Sequence, residues 1–355
     1  MNERYRYRIN KIITIGEKVM NIKDIARLSG VGVSTVSRVI NNHPDVKQST
    51  REKVLQIIKD SNYIPNNSAR ILKQNNTKNI GVLVKGVFNP FFSEMTNIIG
   101  NIIEENGYTM ILQQNDFNLY QDVETMIGFV KEKRLQGVIC LGGNFTEIQE
   151  DSFEDIKVPV VLTSVNTISK KGKKYYSSVG IDNSKSAYTA VRYLIEKGHK
   201  KIALVLGEVN DLGVSWWRLD GYKKALEENN IDVDDELIIS GEYNSGTAYE
   251  NVNKLLKKRK DITAIFALSD IMALGAIKAA IDNGFDVPRD ISIVGFDGMD
   301  ESKYYNPSIT TVKQPKKKMA ETSVELLFSL ITTDCENKHL ILDTKLVERD
   351  SCFNI

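Results

Sequence analysis

Residues Asn21–Lys73 read NIKDIARLSGVGVSTVSRVINNHPDVKQSTREKVLQIIKDSNYIPNNSARILK, and their reading decides the fold of the N-terminal part. Ile22, Ile25, Ala26 and Leu28 give one apolar helical face, and Gly30 stands where a glycine ends a helix. Val33, Val36, Val39 and Ile40 put a second apolar stripe at spacings of three and four. Ser34, Thr35, Ser37, Arg38 and Asn41 lie between those positions, short or hydrogen-bonding, on the opposite face. A recognition helix needs this division. Small residues at its start let the backbone enter the major groove, and polar ones meet base edges and phosphates. Any small helical hairpin also shows an apolar stripe, so periodicity alone leaves both readings open.

The residues that follow favour the DNA reading. Thr50, Arg51, Val54, Ile57 and Ile58 predict a third helix that closes a small core. Pro65 then bars helix at the residue before it, and Asn66 or Asn67 can cap a new short helix. On IKDIARLSGVGVSTVSRVINN, TREKV and NYIPNNSARIL, in fixed order over some fifty residues, the sequence resembles the lactose-repressor/galactose-repressor (LacI/GalR) family of bacterial transcription regulators. The resemblance implies that Val33, Ser34, Thr35, Ser37 and Arg38 face the major groove, with Asn41 alongside. It implies a hinge helix over 66–73, ordered when two chains sit side by side on an operator, with Asn66 and Ala69 at the DNA. Leu72 matches the family's wedge leucine, pushed into a minor-groove base step so that the duplex kinks, with Lys73 beside it. Gly32 departs from the serine usual at that cap, a change worth only a few tenths of a kcal/mol.

Charge distribution agrees. The chain of 355 residues carries a net charge of +1, but residues 1–78 hold 15 Lys/Arg against 6 Asp/Glu, leaving 32 against 40 in the remainder. A basic head on an acidic body suits a DNA-binding module joined to a regulatory one. The hydrophobic fraction of 41% and charged fraction of 26% are ordinary for a soluble globular protein. Cys140, Cys335 and Cys352 lie far apart with no histidine at ligand spacing, which predicts neither a disulfide framework nor a metal site and points to a reducing cytoplasm. No apolar run approaches a membrane span, and residues 1–19 lack the apolar core of a secretory signal. Those nineteen residues read either as a basic arm along the DNA backbone, through Arg4, Arg6, Arg8 and Lys11, or as an upstream mis-set start, because Met20 stands directly before the motif.

Beyond Asn75–Lys78, a short polar joint, apolar strands alternate with amphipathic helices. Strands are predicted over 80–84, 110–113, 137–141, 158–162, 202–206, 264–268 and 291–296, and helices over 91–106, 121–134, 184–198, 218–229, 246–258, 270–283 and 316–331. This alternation argues parallel sheets with helices on both faces, and there are too many strands for one compact sheet. The expected fold is an all-α helix-turn-helix head (20–65), a hinge and linker (66–78), and an α/β body (79–355). The body should have two lobes, about 79–181 with 312–340 and about 182–311 with 341–355. The resemblance implies the same, a periplasmic-binding-protein-like effector domain with its ligand in the cleft.

Open α/β sheets bind ligands at strand ends. Asn89-Pro90-Phe91-Phe92 follows the first strand and matches the family's segment beside the pocket; a helix start with two core aromatics, and one phenylalanine in the core with one at the ligand, are equally open. Lys85-Gly86 replace the family's common Pro-Asp. By resemblance, Arg218 reaches polar ligand groups, Tyr243 stacks on the ligand, and Asp270 accepts hydrogen bonds in the pocket, a task compatible with capping its helix. Trp217, with Trp216, can add a flat wall. Aromatic faces with Arg and Asp suit a carbohydrate. No GxSxG, GxxxxGK[ST], HExxH or GxGxxG occurs, and His43, His199 and His339 are isolated, so neither an enzyme nor a cofactor is expected. The expected protein is a homodimeric regulator, most simply a repressor, of double-stranded operator DNA, controlled by a sugar or sugar derivative. A nucleobase or a phosphorylated protein corepressor is the alternative effector. A sugar receptor without DNA function is the alternative of another class, which fits the body but not the basic head.

Overall fold

The structure, a computed structural model, describes residues 20–40, 42–61, 63, 78–85, 89–115, 122–143, 145, 152–153, 156–165, 173–207, 213–333 and 335–355. The N-terminal extension, Asn41 and the expected hinge over 66–73 lie outside them. The chain divides into two compact units, Met1–Asn76 and Thr77–Ile355.

In the first unit, helices α1 (Ile22–Ser29), α2 (Val33–Ile40) and α3 (Gln48–Asp60) enclose Ile25, Ala26, Val36, Val39 and Val54. α1 starts with a reciprocal cap. Asn21 accepts from the Lys23 and Asp24 amides, and Asp24 accepts from the Asn21 amide. It stops at Gly30, whose φ of 67° is left-handed and cheap only for glycine. Leu28 departs from expectation. It is 53% exposed, because the core is filled by Ile25 and Ala26 and the stripe is one residue narrower than the sequence suggested. Gly32 opens α2, its carbonyl accepting from the Thr35 and Val36 amides.

The body holds two six-stranded sheets. The first, in order β11-β5-β4-β3-β1-β2, is all parallel: β1 (Asn79–Lys85), β2 (Thr109–Asn115), β3 (Gly137–Leu141), β4 (Val160–Thr163), β5 (Ser177–Ile181) and β11 (His339–Leu342). The second runs β12-β10-β9-β8-β6-β7: β6 (Ile202–Leu206), β7 (Ile238–Ser240), β8 (Ala264–Ala267), β9 (Ser292–Asp297), β10 (Thr310–Lys313) and β12 (Lys345–Val347). Only β12 is antiparallel to its neighbour. Buried on both faces, the central strands are near-continuous apolar runs such as Ile202–Leu206 (IALVL).

Helices α4 (Pro90–Glu105), α5 (Asp122–Lys133) and α10 (Lys316–Thr332) pack on the first sheet. Helices α6 (Asn183–Glu196), α7 (Val214–Glu228), α8 (Ser245–Lys258) and α9 (Asp270–Asp282) serve the second. The chain passes between sheets at Asp182, at Gln314–Pro315 and at Asp343–Thr344. The last two crossings fall about two residues later than the boundaries read from the sequence, because β10 and β11 complete their ladders at Lys313 and Leu342 before the chain leaves. Among the described residues no helix is long and apolar enough to cross a membrane, and no cluster of His, Cys, Asp and Glu could hold a metal ion.

Candidate nucleic-acid interface and ligand cleft

With Val36 and Val39 turned into the head's core, helical geometry turns Ser34, Ser37 and Arg38 to the opposite side, with Val33 and Thr35 flanking. Val33, Ser34 and Arg38 are exposed; Thr35 and Ser37 are half-buried. Val33 is 42% exposed, an apolar residue at a helix start with no partner needed from the core, as contact with a thymine methyl would require. A Cβ on Gly32 would meet nothing nearer than Ser34 Oγ at 3.6 Å, so glycine here is a choice of cap and not a steric necessity. Asn41, Asn66, Ala69, Leu72 and Lys73 lie outside the described residues.

In the body, the second sheet's strand ends bring together Arg218 and a carboxylate the sequence reading missed. Arg218, on the first turns of α7, is 4% exposed. Its Nε donates to Asn183 Oδ1 at 2.8 Å and its Nη1 to the Leu268 carbonyl at 2.6 Å. The guanidinium carbon lies 3.7 Å from the centre of the Phe296 ring. The carboxylate is Asp297, the last residue of β9, whose Oδ1 accepts from Gln314 Nε2 at 2.8 Å. Burial pushes its carboxyl up to about 6, against the opposing pull of Arg218, Gln314, Lys316 and Asn89. Its φ is 105°, strained for a residue with a side chain. Ser164 just past β4 and Tyr243 just past β7 also have positive φ, at 57° and 49°. Such strain collects where structure is bent to function.

Tyr243 lies against Gly207 at the end of β6, where a Cβ would come within 2.1 Å of the ring, and its hydroxyl is 2.8 Å from Ser215 Oγ. Trp216 and Trp217 stand edge to face with centroids 4.8 Å apart; Trp216 is 41% exposed. Two buried polar atoms here lack a partner: Trp217 Nε1, a donor, and Gln314 Oε1, an acceptor. Asp270 is fully buried. Ser269, not Asp270, caps α9, accepting from the Met272 amide. Asp270 Oδ1 accepts from Thr311 Oγ1 at 2.6 Å, and Oδ2 from the Met299 amide at 2.7 Å, tying α9 to β10 and to the loop after β9. Gly295 is obligatory beside it, since a Cβ would stand 2.3 Å from Asp270 Oδ1.

In the first lobe, Phe91 and Phe92 are both buried, packed edge to face at 5.2 Å, with Phe92 lying where a side chain on Gly142 would be. Neither ring is left over for an open cleft in this conformation. Asn89 caps α4, its Oδ1 accepting from the Phe91 amide at 3.0 Å. Lys85, where the family's pattern is broken, is buried at the end of β1 and pairs with Asp122 Oδ2 at 2.9 Å. Lys316, at the start of α10, pairs with Glu94.

Burial raises the Asp270 carboxyl to about 7, with the nearby Asp297 charge adding to it. The usual value is 3.8, so between about pH 4 and 7 the folded body binds protons that the unfolded chain does not. Stability from this pair is therefore full below that window and falls as pH rises through it. His199 and His339, held low by burial, work in the opposite sense below about pH 6.5. Comparison with Asp270→Asn isolates the carboxyl: thermal midpoints from pH 5.5 to 7.5 should decline less steeply in the variant, and parallel curves would refute the assignment.

The profile described as bacterial regulatory proteins, lacI family, matches residues 21–66, and that described as periplasmic binding protein-like domain matches residues 191–352. The chain is 96% identical over 336 residues, 95% of its own length and all of the relative's, to the HTH-type transcriptional regulator MalR of Clostridium butyricum. It superposes with a TM-score of 0.72 at 26% identity on the lac repressor dimer bound to operator and the anti-inducer ONPF, covering 95% of this chain and 100% of that one. On the transcriptional regulator CelR in complex with cellobiose the TM-score is 0.68 at 29% identity, covering 94% and 99%.

Proposed function

Because the chain belongs to the lacI family of bacterial regulatory proteins, and is a DNA-binding transcriptional regulator and not an enzyme, we propose that it is a cytoplasmic repressor. In this reading a homodimer holds a pseudo-palindromic operator and a carbohydrate in the body's cleft controls it. The observation that carries the effector reading is the polar set Arg218, Asn183, Asp297 and Gln314, in which Arg218 rests on the fully buried Phe296 ring, together with the half-buried ring of Tyr243 in the same lobe. Fixed charges orient hydroxyls, and ring faces take the C–H surface of a sugar. The unpaired Trp217 donor and Gln314 acceptor suit the same ligand, since a hydroxyl both accepts and donates. The likeness to a cellobiose-bound regulator supports a sugar, and the likeness to an operator-bound dimer supports the assembly.

One recognition helix, α2, reads each half-site through Val33, Ser34, Thr35, Ser37, Arg38 and Asn41. The hinge over 66–73 presents Leu72 and Lys73 to the minor groove between them. Effector changes the angle between the lobes and so the spacing of the paired hinges. The coupling is reciprocal: a ligand that weakens operator binding binds less tightly to the operator complex. Trp217, Arg218 and Tyr243 are the contacts assigned to the effector. Asp297 joins them, and Phe91, Phe92 and Asp270 support the walls from behind.

Selection of the purified chain on a random-duplex library at moderate salt tests this. The expected product is a two-fold symmetric site with a deformable central step, released on adding a disaccharide. Enrichment of an asymmetric site, or of none with and without sugars, would overturn the dimeric repressor.

A further inference from the structure

We propose that Arg51, outside the reading helix, is a positioning residue for DNA recognition, setting the orientation of α2 and not itself binding phosphate. α2 ends in a left-handed closure: Asn42 has φ 53°, its amide donates to the Val39 carbonyl at 3.0 Å, and the His43 amide donates to the Arg38 carbonyl at 2.9 Å. Glycine is the usual residue at such a position, and asparagine is the commonest substitute. The asparagine here has a second task. Arg51, in the first turn of α3, donates from Nη1 to Asn42 Oδ1 and from Nη2 to the His43 carbonyl, both at 2.5 Å.

The two terminal nitrogens of the guanidinium therefore grip two consecutive residues of the turn, one by its side chain and one by its backbone. The planar fork matches two oxygens held at a fixed spacing, which a lysine ammonium cannot do. Arg38 is at once a residue of the DNA-facing side and, through its carbonyl, the acceptor that anchors this closure. Its backbone direction is thus tied through His43 and Arg51 to α3. At that end Val39 is buried and Ile40 is partly buried against the head's core, so the Arg51 grip adds a directional polar hold to a non-directional apolar one. Nearby, His43 Nδ1 lies 3.4 Å from Asp45 Oδ2, a contact on the outer side of the same turn.

A phosphate contact and a positioning role differ in their salt dependence. Removing a cation that neutralises a phosphate lowers the slope of log affinity against log salt by about 0.9. Removing a cation spent on protein oxygens leaves the slope in place and lowers the preference for the right sequence. The experiment uses the full chain as parent, Arg51→Lys, Arg51→Ala, Asn42→Gly and the Arg51→Lys/Asn42→Gly pair. Each is titrated against the selected operator duplex and a scrambled duplex of equal length across a salt series, far below the thermal midpoint of each variant.

Arg51→Lys should lower the operator-to-scrambled ratio about tenfold, with unchanged affinity for the scrambled duplex. Arg51→Ala should do the same with an unchanged salt slope. Asn42→Gly keeps the left-handed turn, so the head stays folded, and should cost a few-fold in the ratio by removing one of the two oxygens. The paired variant should lose less than the two single losses combined. A salt slope reduced by about one in Arg51→Ala, with Arg51→Lys like the parent, would make Arg51 a phosphate ligand and overturn the proposal. An unchanged ratio in Asn42→Gly together with simple additivity would overturn it as well.

Discussion

An Arg218→Ala chain is expected to bind operator within a few-fold of the parent and to lose its effector response. Arg218 belongs to the body, and its bonds to Asn183 and to the Leu268 carbonyl are all internal to that unit. Truncation leaves those two acceptors unanswered and takes the favourable charge from Asp297, whose carboxyl it otherwise holds down against burial. Each charged hydrogen bond to a hydroxyl is worth roughly 10- to 100-fold in affinity. The apparent effector affinity should fall by at least that much, read as the concentration that releases half the operator. Arg218→Lys, which keeps the charge but not the fork, should recover only part. A normal release curve for Arg218→Ala would remove the residue from the cleft.

Ile25→Ala should have the larger structural effect and the opposite functional pattern. Ile25 is fully buried in a head whose buried apolar side chains, among the described residues, are Ile25, Ala26, Val36, Val39 and Val54, with partly buried residues such as Ile22, Ile40 and Ile57 packed around them. Such a truncation costs about 2–5 kcal/mol, and a core this small rarely supplies more than about 3–5 kcal/mol in total. The head should be largely unfolded at 25 °C, with operator affinity down by about 100-fold or more. The body is a separate compact unit, so its thermal transition and effector binding should not move. Retained operator affinity, or a body transition that shifts with the head, would contradict this division.

Much of the fold was legible because its strands are long apolar runs in an alternating order. Gly137–Leu141 and Ile202–Leu206 were read to the residue. What was missed has a common physical cause. β7, β10, β11 and β12 are three or four residues long, and three of them, β7, β11 and β12, are edge strands, such as Lys345–Val347, too short for a period to register; β5, also missed, opens on Ser177 and Ser178 and so lacks a continuous apolar run. Helix α7 begins at Val214, four residues before its predicted start, because Ser215, Trp216 and Trp217 carry no stripe ahead of Arg218.

The site was only half visible. Arg218 and Tyr243 stood out by resemblance, whereas Asp297 comes from β9 and its partner Gln314 from the crossing after β10, distant in sequence and joined only by folding. The available signal was Phe296-Asp297-Gly298, a carboxylate closing a wholly buried strand. Asp270 illustrates the reverse, a motif residue whose oxygens are both spent within the fold.

The three crossings also bear on how the protein is made. β1 leaves the ribosome early, but its sheet is completed by β11, and α10 covers the same lobe from Lys316 onward. At about 5–20 residues per second, roughly 250 residues separate β1 from β11, a delay of about 10–50 s. The head is contiguous and finished long before, so a nascent chain carries a folded DNA reader while its sensor is still incomplete. A stop codon between the end of the head and β11 would release a fragment that keeps the DNA reader yet is deaf to the signal meant to remove it.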